Sequence, residues 1–396
     1  MSNDLWITGI GIISAAGYGY TEHLESLQKG RSSLSVHNFF NGDLPDPCMC
    51  GKVPSALIND SIDATAGDRS ILLADKAIGE ALETSKVHPR DCTMDLVAGT
   101  TLGNMHGGTL YYKAMKSGRP LNPDLVRNVM PDAAANVLSK KYGFTGRHIT
   151  VSSACASGTT AIGTAMARIR RGHSVCAVAG GVDALSPFVI AGFNCLRLLS
   201  KKECRPFSAS RDGLNPGEGA AFCVIESQEY ARLRKASPVV KISGYGNALE
   251  AYHYTKSDPQ GSGIALAIRK ALDNANVRPD QIDHIHAHGT ATVFNDITEY
   301  NGFVNVFGDR LKDIPVCSSK SMLGHTYGAA GAISAVFAVI SIINSIVPAT
   351  INCSDPDPLF SNLNISDKPR GCLVKRALSV SLGFGGECAA LVLEAL

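Results

Sequence analysis

Four stretches of this 396-residue chain carry side chains able to do covalent chemistry. The first is V-S-S-A-C-A-S-G-T-T-A, Val151 to Ala161. Cys155 lies between a run that reads as strand, Ile149–Ser152, and one that reads as helix, Ala156–Arg170. At a helix N-terminus the macrodipole and free N–H groups favour an anion, which predicts a lowered thiol pKa. Small neighbours leave room for a substrate, and the Cys155 N–H is placed to help cradle an oxyanion. A buried small hydrophobe fits the same local sequence, since free cysteines are often core residues.

The second stretch is H-I-H-A-H-G-T-A-T, from His284 to Thr292. On a strand, His284, His286 and His288 share one face, a pattern open to zinc. The other reading is one functional histidine, His288, at the strand's end before Gly289, where α/β proteins place their sites. No H-E-x-x-H or spaced C-x-x-C supports zinc, and Cys48-Met-Cys50 is too tight for an ordinary site. The third stretch is C-S-S-K-S-M-L-G-H, in which Lys320 and His325 precede a long apolar run. With Cys155 and His288 they supply a nucleophile, bases and a cation, the parts that acyl transfer needs. The fourth is S-L-G-F-G-G-E-C, where Gly383, Gly385 and Gly386 flank Phe384. That composition suits a movable backbone beside a gating ring, or a glycine turn between core strands. None of the glycine-containing turns has a phosphate-binding spacing.

The elements around these residues alternate strand and helix, which argues for an α/β protein. Strand candidates are Leu5–Ile10, Leu96–Ala98, Ile149–Ser152, Val175–Ala179 and Ala220–Ile225. The second half repeats the order: V-V-K-I-S-G-Y-G-N from Val239, H-I-H-A-H, the helix Ala329–Ile343, then L-S-V-S-L-G-F-G-G and A-A-L-V-L-E. Two similar halves, 1–236 and 237–396, are expected to meet with a site at their junction.

Composition narrows the class. Apolar residues are 45% and charged residues 18%, as in a globular protein. The net charge of +2 gives no global field for nucleic acid or an anionic membrane. The N-terminus lacks a basic n-region and a long apolar h-region, so the expected compartment is the cytosol, with its cysteines reduced. Ala329–Val347 is long enough to span a membrane, but Ser334, Ser341, Asn344 and Ser345 interrupt it and no basic cluster flanks it. It reads as a buried core helix rather than a span.

Taken together, the motifs resemble those of the beta-ketoacyl-acyl-carrier-protein synthases, the condensing enzymes of fatty-acid and polyketide synthesis. The resemblance runs from T-G-I-G through A-C-A-S-G, R-P-F-S-A-S-R-D-G and G-E-G-A to A-H-G-T-A-T, K-S-M-L-G-H, G-A-A-G-A and G-F-G-G. It implies the thiolase fold: two α-β-α-β-α-β-β halves forming a five-layered α-β-α-β-α sandwich with two mixed five-stranded sheets. Cys155, His288 and His325 fall on the Cys-His-His pattern of the elongating enzymes. Retention of Cys155 argues against a chain-length-determining subunit, which typically lacks that nucleophile.

The resemblance also implies roles. Cys155 takes an acyl group from acyl carrier protein, and the N–H groups of Cys155 and Phe384 form the oxyanion hole. His288 and His325 donate to the thioester carbonyl of malonyl-carrier-protein during loss of CO2. Lys320 holds the histidine network, with Glu299 as its carboxylate partner. Thr290 and Thr292 bond the phosphopantetheine arm that the carrier brings, Phe384 gates, and Leu102 and Phe193 contact the acyl chain. No metal or organic cofactor is required, and the implied assembly is a homodimer or a heterodimer with a related subunit. Departures from the family pattern are Glu387-Cys388 for Thr-Asn, His286 for Asn, and Ser152-Ser153 for an acidic-Thr or Ala-Thr pair. The region Ala64–Asp75 lacks the basic cluster with which many relatives dock the carrier. Arg69 and Lys76 remain there, with Arg197, Lys201 and Lys202 elsewhere. These departures point to a dedicated carrier and a specialised pathway.

Overall fold

The computed structural model describes residues 4–39, 48–58, 69–127 and 129–396. Ten strands matter for the site. In the first half they are β1 (Leu5–Ser14), β2 (Met94–Gly99), β3 (His148–Val151), β4 (Cys176–Asp183) and β5 (Gly219–Ser227). In the second half they are β6 (Val240–Leu249), β7 (His284–His286), β8 (Val316–Cys317), β9 (Arg376–Gly383) and β10 (Glu387–Glu394). The lateral order is β3-β2-β4-β5-β1 in one half and β8-β7-β9-β10-β6 in the other. Both halves therefore use the same permutation of five strands. In each, the first three in this order run parallel and the last two join antiparallel. A short antiparallel pairing of Leu5–Ile7 with Val240–Ile242 links the two sheets edge to edge.

Both faces of each sheet are covered, so the strands read as near-continuous apolar runs. The period-2 alternation sorts side chains between cores. On β5, Ala220, Phe222 and Val224 face helices α1 (Arg69–Ser85) and α2 (Ala133–Tyr142). Ala221, Cys223 and Ile225 face the opposite way, toward α3 (Ser157–Arg170) and the long apolar helix, which spans Ala330–Asn344. On β9 and β10, Leu378, Val380, Ala390 and Val392 pack with two further helices, Ser262–Ala275 and Val293–Phe307. With α4 (Pro187–Cys195) placed beside the site, those two are α5 and α6, and the apolar helix is α7. The layers are α1/α2, sheet, α3/α7, sheet, α5/α6, as the resemblance implied.

The apolar run is core. Tyr327–Asn344 is long and apolar enough to cross a membrane, yet 89% of it is buried inside the protein. It packs on α3 because both helices are small-sided at the crossing. A Cβ on Gly331 would lie 2.1 Å from Thr159 Oγ1, and one on Gly158 would lie 2.8 Å from the Gly328 carbonyl.

One expectation needs correcting. Arg69 is not a surface cation: it is 6% exposed, and its guanidinium pairs with the buried Glu218 carboxylate and the Val53 carbonyl. Its neighbours Ala64 to Asp68 lie outside the described residues. Lys76 stands over the Tyr18 ring, while Arg197, Lys201 and Lys202 are exposed.

Candidate active site

Cys155 sits in a tight turn between β3 and α3. Ala154, just before it, has φ +48, the left-handed region that an L side chain enters only when its surroundings hold it there. Here they do. The Ala154 carbonyl accepts from Thr101 Oγ1 at 2.9 Å and from the Ser157 N–H at 3.1 Å, while the Ser153 N–H donates to Ser157 Oγ at 2.9 Å. The turn places the thiol in a cleft that Phe384 also lines, and the backbone N–H groups of Phe384 and of Cys155 itself pull the thiol pKa down. Those are the two donors expected to form the oxyanion hole.

The thiol pKa runs against the helix-terminus expectation. Cys155 is 7% exposed, and burial pushes its thiol up to about 12; the charge of Lys320 and the two N–H groups only partly offset this. The resting group is a thiol.

Two histidines complete the wall. His288 follows β7, and its backbone N–H donates to the Glu299 carboxylate of α6, which also accepts from the Gly289 N–H at 2.7 Å. Lys320 Nζ donates to the His288 carbonyl and lies 3.3 Å from Nδ1 of the His288 ring. His325 is pinned through its backbone: its N–H donates to the Asn215 carbonyl at 2.7 Å, and its carbonyl accepts from the Gly217 N–H at 2.8 Å. Its Nδ1 accepts from the Tyr327 N–H at 3.2 Å. The two rings stand 5.3 Å apart, edge to face at 84°.

These contacts set the tautomers. A ring nitrogen that accepts carries no proton, so His325 is protonated at Nε2. His288 turns Nδ1 to an ammonium and is protonated at Nε2 as well. Burial first, and then the Lys320 charge, hold both pKa values well below the usual 6.5, so both rings are neutral donors. Lys320 is itself lowered from 10.5 by burial, which the charge of Glu299 opposes; burial raises Glu299 above the usual carboxylate range. Glu299 grips the backbone of the His288 turn and acts on Lys320 through charge.

A cleft joins these groups, lined by Cys155, His288, His325, Phe193, Phe384, Thr290 and Thr292 among others. The hydroxyls of Thr290 and Thr292 are 2.9 Å apart on one wall. Phe384 stacks on Phe193 of α4 at 5.8 Å. Leu102 does not line the cleft; it packs behind it, in an apolar cluster with Phe193, Tyr327, Leu185 and Val189. At the departing positions, Glu387 is partly buried with its pKa raised by desolvation, and Cys388 Sγ donates to Glu250 Oε1 at 3.4 Å.

The three strand histidines do not converge. His284 donates from Nδ1 to the Pro315 carbonyl, and His286 packs on Phe337 of α7. Among the described residues no three His, Cys, Asp or Glu side chains are grouped to hold a metal ion.

Sequence reasoning missed Asp183, Asn215 and Tyr327. Asp183 lies in G-V-D-A-L and Asn215 in R-D-G-L-N-P-G, two glycine-containing turns. Asp183 is fully buried and accepts from Thr100 Oγ1, the Thr101 and Leu102 N–H groups and the Gly328 N–H. It thereby ties the loop after β2 to the segment after His325. The signal was a carboxylate at the C-terminal end of an otherwise apolar strand, which is costly to bury without donors.

Residues 2–231 match the family model for the beta-ketoacyl synthase N-terminal domain, and residues 239–354 that for the C-terminal domain. The chain belongs to the beta-ketoacyl synthase family. This beta-ketoacyl synthase is 34% identical over 402 residues to 3-oxoacyl-[acyl-carrier-protein] synthase 2 of Staphylococcus aureus (strain N315), covering 98% of this chain and 97% of that protein. It is 31% identical to the protein of the same name from Coxiella burnetii (strain RSA 493 / Nine Mile phase I), over 98% and 97% of the two chains. Among solved structures it is similar to the ishigamide ketosynthase/chain length factor, with TM-score 0.92, 31% identity and 99% of each chain covered. A type II PKS acyl-carrier protein complex with its ketosynthase, bound to the hexaketide, gives TM-score 0.91 at 29% identity, again over 99% of each chain. The enzyme is an acyltransferase whose reaction is ketosynthase condensation.

Proposed function

We propose that Cys155 carries the acyl group and that His288 and His325 drive the decarboxylative step. The carrying observation is one cleft in which a thiol under two backbone N–H donors shares space with two neutral Nε2-protonated imidazoles. In the first step Cys155 Sγ attacks the thioester carbonyl of an acyl group on acyl carrier protein. The N–H groups of Cys155 and Phe384 hold the oxyanion. The C–S bond to the phosphopantetheine arm breaks, and the departing sulfur ends with the proton that Cys155 gives up.

Malonyl-carrier-protein then enters with its arm along Thr290 and Thr292. His288 and His325 donate from Nε2 to its thioester carbonyl. The bond to the carboxylate breaks, CO2 leaves, and the electron pair rests on an enolate that those donors stabilise. The enolate carbon attacks the acyl-Cys155 carbonyl, a C–C bond forms, and the Cys155 sulfur leaves as a thiolate and takes up one proton from solvent. The product is a 3-oxoacyl thioester two carbons longer. No group beyond the chain and its carrier-borne substrates is asked for in this scheme. Lys320 and Glu299 are positioning residues, Phe384 gates, and Leu102 and Phe193 shape the acyl pocket.

The division of labour runs by halves: 1–236 brings the nucleophile, and 237–396 brings the histidines and Lys320. The exposed Arg197 adjoins Leu198, which lines the cleft, and with the exposed Lys201 and Lys202 just after it suits an acidic carrier protein. We read the assembly as a homodimer, or a heterodimer with a related subunit, working in the cytosol with a carrier of its own in a specialised pathway. Twelve free cysteines agree with a reducing compartment.

The test is condensation of acyl- and malonyl-carrier-protein, followed by product mass and CO2. One CO2 per 3-oxoacyl product, lost in Cys155→Ala, supports the reading. Equal condensation by Cys155→Ala refutes it, and no condensation by the parent with any carrier leaves a binding subunit.

A further inference from the structure

Tyr327 stands two residues after His325 with φ +50 and is 1% exposed. Its ring is sandwiched between two residues that line the cleft: His325 at 5.3 Å and Phe193 at 5.4 Å. Around it lie Cys50, Leu185, Val189 and Leu102. Its phenol oxygen is buried and has no hydrogen-bond partner among the described residues. A buried hydroxyl left unpaired is costly, and phenylalanine would fill the same space without that cost.

The neighbours do not relieve it. The ionisable groups acting on the phenol are Cys48, Cys155, Cys50 and Asp183. The Asp183 carboxylate is already taken by Thr100, Thr101, Leu102 and Gly328. Cys155 is the group that holds the acyl chain in the reading above, on which this inference rests. The ring that carries the unpaired donor backs the wall that His325 and Phe193 form in the cleft holding Cys155.

We propose that Tyr327 is a specificity-determining residue that selects acyl groups carrying an oxygen along the chain. The phenol O–H donates to a carbonyl or hydroxyl oxygen of the acyl group on Cys155. A saturated chain leaves the phenol unpaired in an apolar pocket; an oxygenated chain pairs it. Sites built to hydrogen-bond a substrate oxygen discriminate more strongly than apolar pockets do, because the analogue strands a buried polar group.

The experiment compares acylation of Cys155, read by intact mass over time, with octanoyl pantetheine and with hydroxyoctanoyl pantetheines. The hydroxyl is placed near, midway along, or far from the thioester. In the parent protein at least one hydroxyl position should acylate about 10-fold faster than octanoyl, the worth of roughly one net hydrogen bond. In Tyr327→Phe that ratio should fall to about one. No oxygenated chain preferred by the parent, or a preference that survives in Tyr327→Phe, overturns the proposal. The parent ratio stands by itself if the variant does not fold. Absence of acyl mass from every thioester refutes the acyl-enzyme reading, and this inference with it; acylation without preference refutes this inference alone.

Discussion

The backbone N–H of Tyr327 donates to Nδ1 of His325 at 3.2 Å, which leaves the proton of that imidazole on Nε2. His288 reaches the same state by another route, with its Nδ1 3.3 Å from Lys320 Nζ. Two neutral rings of the same tautomer thus share one cleft with a thiol.

Separate duties for thiol and imidazoles give separable defects. His288→Ala and His325→Ala should each slow malonyl decarboxylation by about 10²–10³-fold, the worth of one oxyanion donor. Acylation of Cys155 should fall much less, since its donors are the N–H groups of Cys155 and Phe384. Single-turnover acylation and CO2 release, measured on the same variants, check this.

Lys320 predicts an alkaline limb. Burial lowers its pKa from 10.5, so the ammonium that faces His288 Nδ1 is present at low pH and lost as pH rises through a value below 10.5. Decarboxylation should therefore decline on the alkaline side, before an ordinary lysine titrates. Lys320→Met should be slower by about 10–100-fold, the range for a charge-assisted hydrogen bond, and should lack that limb. A rate–pH profile of both proteins decides it.

The central helix crossing should tolerate no added methyl. A Cβ on Gly331 would sit 2.1 Å from Thr159 Oγ1 and 2.8 Å from Ser381 Oγ, two groups that bond each other at 2.9 Å. Gly331→Ala should cost about 1–3 kcal/mol of stability, as overpacked cores do. Gly192→Ala, with nothing within 4 Å of its added Cβ in α4, should be neutral or gain up to about 1 kcal/mol. Urea midpoints of the pair are the measurement.

Leu102 packs with Phe193 and Tyr327 behind the cleft. Leu102→Phe should remove space from the acyl pocket and shorten the longest accepted chain by about one two-carbon extension, since close-packed walls feel even one methylene. Product chain lengths by mass spectrometry report it.

Much of this site was legible because its chemistry needs particular residue types at strand ends. Cys155 before a helix, His288 before Gly289, and Lys320 with His325 before an apolar run are each local patterns. The repeated strand order was visible because both halves bury both faces of a sheet. What was not legible depends on distant contacts. Burial raises the Cys155 thiol against its helix terminus, and no local window shows how deep that turn lies. Arg69 looked like a docking cation until Glu218, far along the chain, came beside it. Asp183 and Tyr327 gain meaning only where the segment after His325 folds back on the first half.

The most direct test of the central claim is intact mass after incubation with a panel of acyl-carrier-protein thioesters, alongside Cys155→Ala. The account predicts a gain of one acyl group in the parent and none in the variant. The same gain in Cys155→Ala, or none in the parent with any carrier or chain, would contradict it.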